Sequence, residues 1–160
     1  MIFLDYLWFK GKNPKNLNNE ECETIRKLFL EQTNEKYAIA TIRTMPIPEW
    51  NGNIILAVKD EQKPQENLRG LLWCSPFKDD IVRVVAFAID KELQGNGYGS
   101  KAWDIFVDSA KKAGFNYIQL EVRAKNTRAQ NFYKKRGMDI IQTLDGYYAN
   151  DLGYSMKGKI

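Results

Sequence analysis

The hydrophobic patterning of the chain predicts one α/β domain over residues 1–160, in which helices flank a sheet of about six or seven mostly antiparallel strands. Three observations carry this. Apolar runs at 53–60, 68–76 and 81–90 are separated by short polar turns, as antiparallel hairpins require. A glycine turn at 94–99 leads from the last run into an amphipathic helix and then an alternating strand. Two more strand segments follow a short second helix at the C-terminal end.

Element by element, residues 2–9 read as a strand. Residues 18–34 read as a helix that Asn18 or Asn19 can cap, with Glu20, Glu21 and Glu23 at its positive end. Its apolar positions Cys22, Ile25, Leu28 and Phe29 recur at helical spacing. Residues 33–52 show no clear period, and "TMPIPEWNGN" reads as a loop from its prolines and Asn-Gly. Residues 81–90 are apolar on nearly both faces, as a central strand should be. In the helix at 100–113, Ala102, Trp103, Phe106, Val107, Ala110 and Ala113 form the inner stripe, and Gly114 suits a left-handed cap. Residues 116–122 alternate as a strand. Residues 127–137 read as a helix with a capping-box start at Thr127 and Gln130 and a stop at Gly137. Strands are expected at about 138–144 and 147–157.

Composition removes several chemistries. Hydrophobic residues make up 44% and charged residues 28%, the balance of a water-soluble globular chain. The apolar runs are too short to span a bilayer, and "MIFLDYLWFK" lacks a basic leader, so the cytoplasm is the expected compartment, with no membrane partner. There is no histidine, which excludes Ser-His-Asp and Cys-His catalysis and His-ligated metals. The two cysteines, Cys22 and Cys74, cannot build a four-ligand zinc site, so no metal is expected. Both read as small buried hydrophobes.

The glycines of "QGNGYGSKAW" (94–103) sit between a strand and a helix start, where backbone N–H groups and the helix dipole favour an anion. Spacing excludes two well-known phosphate loops. Both a dinucleotide fingerprint, G-x-G-x-x-G, and a Walker A loop need glycine where Ser100 stands. What remains is Gln94-x-x-Gly97-x-Gly99 after an apolar strand. Together with "LEVRAKNTRAQNFYKKRGM" (120–138), this resembles the GCN5-related N-acetyltransferases over residues 81–138. The resemblance implies the GNAT fold, a twisted mixed sheet with a V-shaped split between its central strands, here 81–90 and 116–122. It also implies acetyl-CoA as cosubstrate and transfer of its acetyl group to the amine of a small molecule or peptide.

Residue roles follow from the same resemblance. The N–H groups of Gly95, Asn96, Gly97, Tyr98 and Gly99, with Ser100 and Lys101, would hold the pyrophosphate behind Gln94. Backbone groups of Phe87 and Ile89 would pair with the pantetheine amides. Asn126 matches a cofactor-contacting Asn, and a helix cap is its alternative role. Tyr133 matches a tyrosine beside the thioester sulfur that protonates the leaving thiolate. A thiol near pKa 8.5 and a tyrosine near 10 make full transfer uphill by about 2 kcal/mol unless the site retunes them. Against that role, Ala129, Phe132, Tyr133 and Arg136 share one helical stripe, so Tyr133 also suits packing. Where some relatives carry a glutamate base, this chain has Arg83. Asp90, Glu92 and Glu121 are nearby carboxylates, and deprotonation through water needs none of them.

Charge adds a separate observation. Arg123, Lys125, Arg128, Lys134, Lys135 and Arg136 fall together with no acid between them, in a chain of net charge +4. The cluster suits the 3′-phosphate of CoA, or a solvated helix face. Nucleic-acid binding is the rival reading, but the chain lacks the aromatic–basic interleaving of an RNA-recognition strand, so no nucleic-acid partner is expected. A catalytically silent acyl-CoA sensor of the same fold is a second alternative, and a homodimer stays open. The acceptor wall is expected in "TMPIPEW" (44–50) and "DGYYAND" (145–151). Trp50, Tyr147 and Tyr148 could cover an amine there, or shield the core. Without histidine to activate a cysteine, direct transfer is expected over an acetyl-enzyme.

Overall fold

Residues 4–148 and 151–160 are described by a computed structural model. In chain order the elements are β1 (Tyr6–Lys10), a 3-10 turn (Pro14–Asn16), α1 (Asn19–Thr33), α2 (Ile39–Arg43), β2 (Ile54–Val58), β3 (Gly70–Lys78) and β4 (Ile81–Ile89). A second 3-10 turn (Lys91–Leu93) leads to α3 (Tyr98–Lys112), β5 (Tyr117–Arg123), α4 (Thr127–Lys134), β6 (Asp139–Tyr148) and β7 (Asp151–Lys159). Strand order in the seven-stranded sheet is β1-β2-β3-β4-β5-β7-β6. β4 and β5 pair in parallel, while β1–β2, β2–β3, β5–β7 and β6–β7 are antiparallel, so the sheet is mixed as expected. The β4–β5 register covers the first three residues of each strand, from Ile81↔Tyr117 to Arg83↔Gln119.

The chain divides into two compact units, one of residues up to Cys74 with Ala86–Ser109, the other of Ser75–Val85 with Ala110–Ile160. In the first, α1 begins with a reciprocal cap. The Asn18 side chain accepts from the Glu21 N–H at 2.8 Å, and Glu21 accepts from the Asn18 N–H at 2.9 Å. Cys22, Ile25, Leu28 and Phe29 on its inner face are buried, and the Phe29 ring meets Trp73 of β3 edge-on at 6.1 Å. Phe106 of α3 is fully buried between the rings of Trp103 and Trp50. In the second unit the alternation of β5 buries Ile118, Leu120 and Val122, with Met138, Tyr133 and Met156 in the same unit's core.

Several boundaries differ from the sequence expectation, each for a local reason. α2 falls in the stretch without a readable period. Its five residues are too few to show one, and its N-cap, Ala38, has no side-chain bond to offer. The first strand begins at Tyr6, and residues 2 and 3 of its expected span lie outside the described residues. α4 is capped one residue earlier than expected, by Asn126 and not by Thr127. Gln130 completes no capping box, because its amide donates to the carbonyls of Arg123 and Ala124 at 3.1 and 2.8 Å. β6 runs on through Tyr148, so Tyr147 and Tyr148 end β6 and do not start β7. Gly146 at φ 74° lets the strand shift register between Leu144 and Tyr148 and continue, where a turn was expected from 145. Residues 149 and 150 of that expected turn lie outside the described residues.

Candidate active site

In the first unit the end of β4 feeds the glycine turn through a short, hydrogen-bonded link. Asp90 caps the 3-10 turn, its Oδ1 accepting from the Glu92 N–H at 3.1 Å and its carbonyl from the Leu93 N–H at 2.9 Å. Gln94 folds back, and its amide donates to the Ile89 carbonyl at 2.8 Å. That bond occupies one lone pair of a carbonyl expected to pair with pantetheine. Asn96 donates to the carbonyls of Leu93 and Gln94 at 3.1 and 3.3 Å. The turn then passes through Gly95 at φ 81° and Gly97 at φ 84°. These are left-handed values at which a side chain would be strained. Apart from chain neighbours, no described atom lies within 4 Å of where a Cβ would stand on either glycine. Backbone conformation therefore demands these glycines, and the space over them is open to a ligand.

α3 starts at Tyr98, and the N–H of Lys101 donates to the Gly97 carbonyl at 3.1 Å. N–H groups ahead of Lys101 stand before the helical ladder, at the positive end of the dipole. Gly99 is already helical, so the third glycine of the motif lies within the first helical turn. In the first unit the Gln94 amide thus ties the start of the run Gln94–Lys101 back to Ile89, two residues after Phe87 in β4.

The same turn is held by residues that sequence reasoning missed. The Trp8 indole N–H donates to the Tyr98 carbonyl at 3.0 Å, and the rings of Tyr6 and Tyr98 meet edge-on at 5.9 Å. Arg69 donates to Asp90, Tyr6 and Glu92. These partners come from β1 and from just ahead of β3, far away in sequence, so no local signal marks them. Burial alone would raise the Asp90 carboxyl. The Arg69 hydrogen bond, the Glu92 N–H and the Arg69 charge outweigh it and hold the group below the usual range.

In the second unit Asn126 accepts from the Ala129 N–H at 3.0 Å, so its capping role is realised. Tyr133 lies on α4 and is only 9% exposed, its ring edge-on to Phe132 at 5.4 Å. Arg136 lies over Phe132 at 3.6 Å and donates to the Phe132 carbonyl at 2.9 Å, which secures the packed stripe. Glu121 receives the Arg83 Nε–H on both oxygens, at 3.1 and 3.0 Å, and Arg83 also donates to the Tyr147 hydroxyl at 2.8 Å. All three carboxylates considered as bases, Asp90, Glu92 and Glu121, are thus paired with an arginine.

The basic cluster is less uniform than its sequence suggests. Asp151 lies 3.3 Å from Arg123 and 2.8 Å from Lys125, and Arg123 stacks 4.4 Å over the Tyr148 ring. An acid distant in sequence thereby neutralises part of the run, and Lys134 and Lys135 remain exposed. Of the expected acceptor wall, Trp50 packs on Phe106 in the first unit, and Tyr147 is 51% exposed in the second. Both cysteines are buried, and burial pushes the Cys74 thiol well up, away from nucleophilic use. No described helix is long and apolar enough to cross a membrane.

Comparison with known proteins places this geometry. The family model described as "Acetyltransferase (GNAT) family" matches residues 22–138. A [ribosomal protein bS18]-alanine N-acetyltransferase of Haemophilus ducreyi is 29% identical over 84 residues, which is 52% of this chain and 57% of that protein. The chain spans about half the length of the curated relatives it matches. Ard1 from Thermoplasma volcanium superposes with a TM-score of 0.79 at 24% identity, over 97% of both chains. A chain of the NatC complex bound to Gag peptide and CoA superposes with a TM-score of 0.81 at 20% identity, over 98% of this chain and 99% of that one. At these identities the superpositions establish the fold. Because the family match runs from α1 through the glycine turn and α4 to the start of β6, the chain belongs to the GNAT acetyltransferase family.

Proposed function

We propose that the protein is an acetyl-CoA-dependent N-acetyltransferase acting over the whole chain as one catalytic domain. The observation that carries this is the left-handed glycine pair Gly95 and Gly97, open above its backbone and running into the N-terminus of α3. Seven groups would hold the pyrophosphate: the backbone of Gly95, Asn96, Gly97, Tyr98 and Gly99, together with Ser100 and Lys101. Pantetheine would pair with the backbone of Phe87 and Ile89, and Asn126 would add a contact while still capping α4. Acetyl-CoA supplies an activated thioester carbonyl. Tyr133 would hydrogen-bond or protonate the departing thiolate. With both thiols buried, the amine attacks the thioester directly.

The acceptor we propose is the α-amine of a peptide, ahead of a lysine or a small-molecule amine. An α-amine has a pKa near 7.7–8.0, so roughly one in ten is neutral at pH 7, whereas a lysine near 10.4 is neutral in about one in 2,500. An α-amine therefore needs little help from a base, which suits a chain whose three candidate carboxylates are all paired with arginines. The names of the bS18-alanine N-acetyltransferase and of the peptide-bound NatC complex support the same class.

Three outcomes are expected. CoA at millimolar concentration should raise the melting temperature by mass action, and Gly97→Glu should abolish the rise by setting a carboxylate in the phosphate site and straining φ 84°. No shift with the native chain would remove the acetyltransferase reading. In a panel followed by thiol release from acetyl-CoA, peptides with free N-termini should turn over faster than N-blocked lysine peptides, polyamines or aminoglycosides. The reverse order would replace the acceptor class, and CoA binding without turnover on any amine would favour the sensor. Tyr133→Phe should keep fold and CoA affinity but slow the chemical step by roughly 10²–10⁴ if proton donation dominates. An unchanged rate would leave Tyr133 as a packing residue.

A further inference from the structure

Arg69 makes a set of contacts around the glycine turn that the proposed reaction does not itself require. All three guanidinium nitrogens are engaged: Nε donates to Asp90 at 2.7 Å, Nη1 to the Tyr6 hydroxyl at 3.2 Å and Nη2 to Glu92 at 3.0 Å. The Arg69 carbonyl accepts from the Asp90 N–H at 2.8 Å, so backbone and side chain grip the same residue. Asp90 stands just before the turn. Tyr98 stands just after it, and Tyr6 packs on its ring while Trp8 holds its carbonyl. One arginine thus reaches both ends of the turn, directly at Asp90 and through Tyr6 at Tyr98.

Electrostatics gives the arrangement a second consequence. Asp90 and Glu92 place two carboxylates in the segment that leads to the turn, and like charge disfavours a diphosphate. Arg69 is their counter-charge in this unit, with Nε 2.7 Å from Asp90 and Nη2 3.0 Å from Glu92. Glu92 is 83% exposed and solvent already screens it, so the Asp90 pair, 30% and 24% exposed, carries most of the effect.

We infer that Arg69 is a positioning residue for the diphosphate of acetyl-CoA, acting by bracing Asp90 and Tyr98 on either side of the Gly95–Gly97 turn and by cancelling the carboxylate charge that would repel the ligand. The inference rests on the reading of that turn as the cofactor site.

The test measures CoA affinity calorimetrically, and melting temperature, for the full chain and three variants. Arg69→Gln should weaken CoA binding roughly tenfold or more, by loosening the turn and freeing the Asp90 charge. Adding Asp90→Asn to Arg69→Gln removes that charge and should recover part of the affinity without restoring the lost melting temperature. A merely structural role would not give that recovery. If Arg69→Gln does not fold, Tyr6→Phe deletes only the hydroxyl that Arg69 bonds, and should weaken CoA about two- to threefold. Unchanged affinity in folded Arg69→Gln, equal loss in the single and double variants, or unchanged affinity in Tyr6→Phe would each overturn the role of Arg69. Failure of the native chain to bind CoA would instead remove the cofactor reading on which the inference stands.

Discussion

The structure turns on a reversal between Ile89 and Tyr98 that a chain of ordinary residues would adopt only at a cost. Two left-handed positions, Gly95 and Gly97, convert the exit of a central strand into the start of a helix within a few residues. Since no described atom presses on either glycine, the demand comes from the path of the backbone. That path sets the N–H groups ahead of Lys101 at the positive end of α3. In the same unit the inner face of α3, with Ala102, Trp103 and Phe106, is sealed in the core, which keeps the helix end in place.

Arginine placement shapes the remainder of the chemistry. Arg69 takes Asp90 and Glu92, while Arg83 takes Glu121 and the Tyr147 hydroxyl. A carboxylate that already accepts charged hydrogen bonds is a weaker proton acceptor, because the ion pair favours its charged form. Asp90 shows this directly, its carboxyl held below the usual range by Arg69 and the Glu92 N–H. The α-amine proposed as acceptor is partly neutral at working pH, which suits carboxylates paired in this way. Histidine is absent and both thiols are buried, and the proposed direct transfer fits that composition and packing.

Features governed by local rules were legible in the sequence. The Asn18 cap, the α1 stripe, the apolar β4, the glycine turn and the alternation of β5 each arise from neighbouring residues, and the structure has them. Spacing also sufficed to reject two other phosphate loops, and the resemblance of residues 94–99 and 120–138 to the GCN5-related N-acetyltransferases pointed to the family. Contacts between distant segments were not legible. Asp151 reaching Arg123 and Lys125, Arg69 reaching Tyr6 and Asp90, and Trp8 reaching the Tyr98 carbonyl all depend on how strands are ordered. α2 was too short to show a period, and the course of β6 past Gly146 rests on a register shift that resembles a turn in sequence. The resemblance to the family supplied the roles of Asn126 and Tyr133; the structure itself shows a helix cap and a buried ring.

The central claim is that the backbone at the start of α3 is an anion site for CoA. Its most direct test is the amide spectrum of the ¹⁵N-labelled chain during a CoA titration. The account predicts that the largest shifts fall on the N–H groups of Gly95, Gly97, Tyr98 and Gly99 and saturate together, with Gly114 and Gly137, the left-handed glycines after α3 and α4, unmoved. Saturable shifts concentrated elsewhere, with those four amides unchanged, would contradict it.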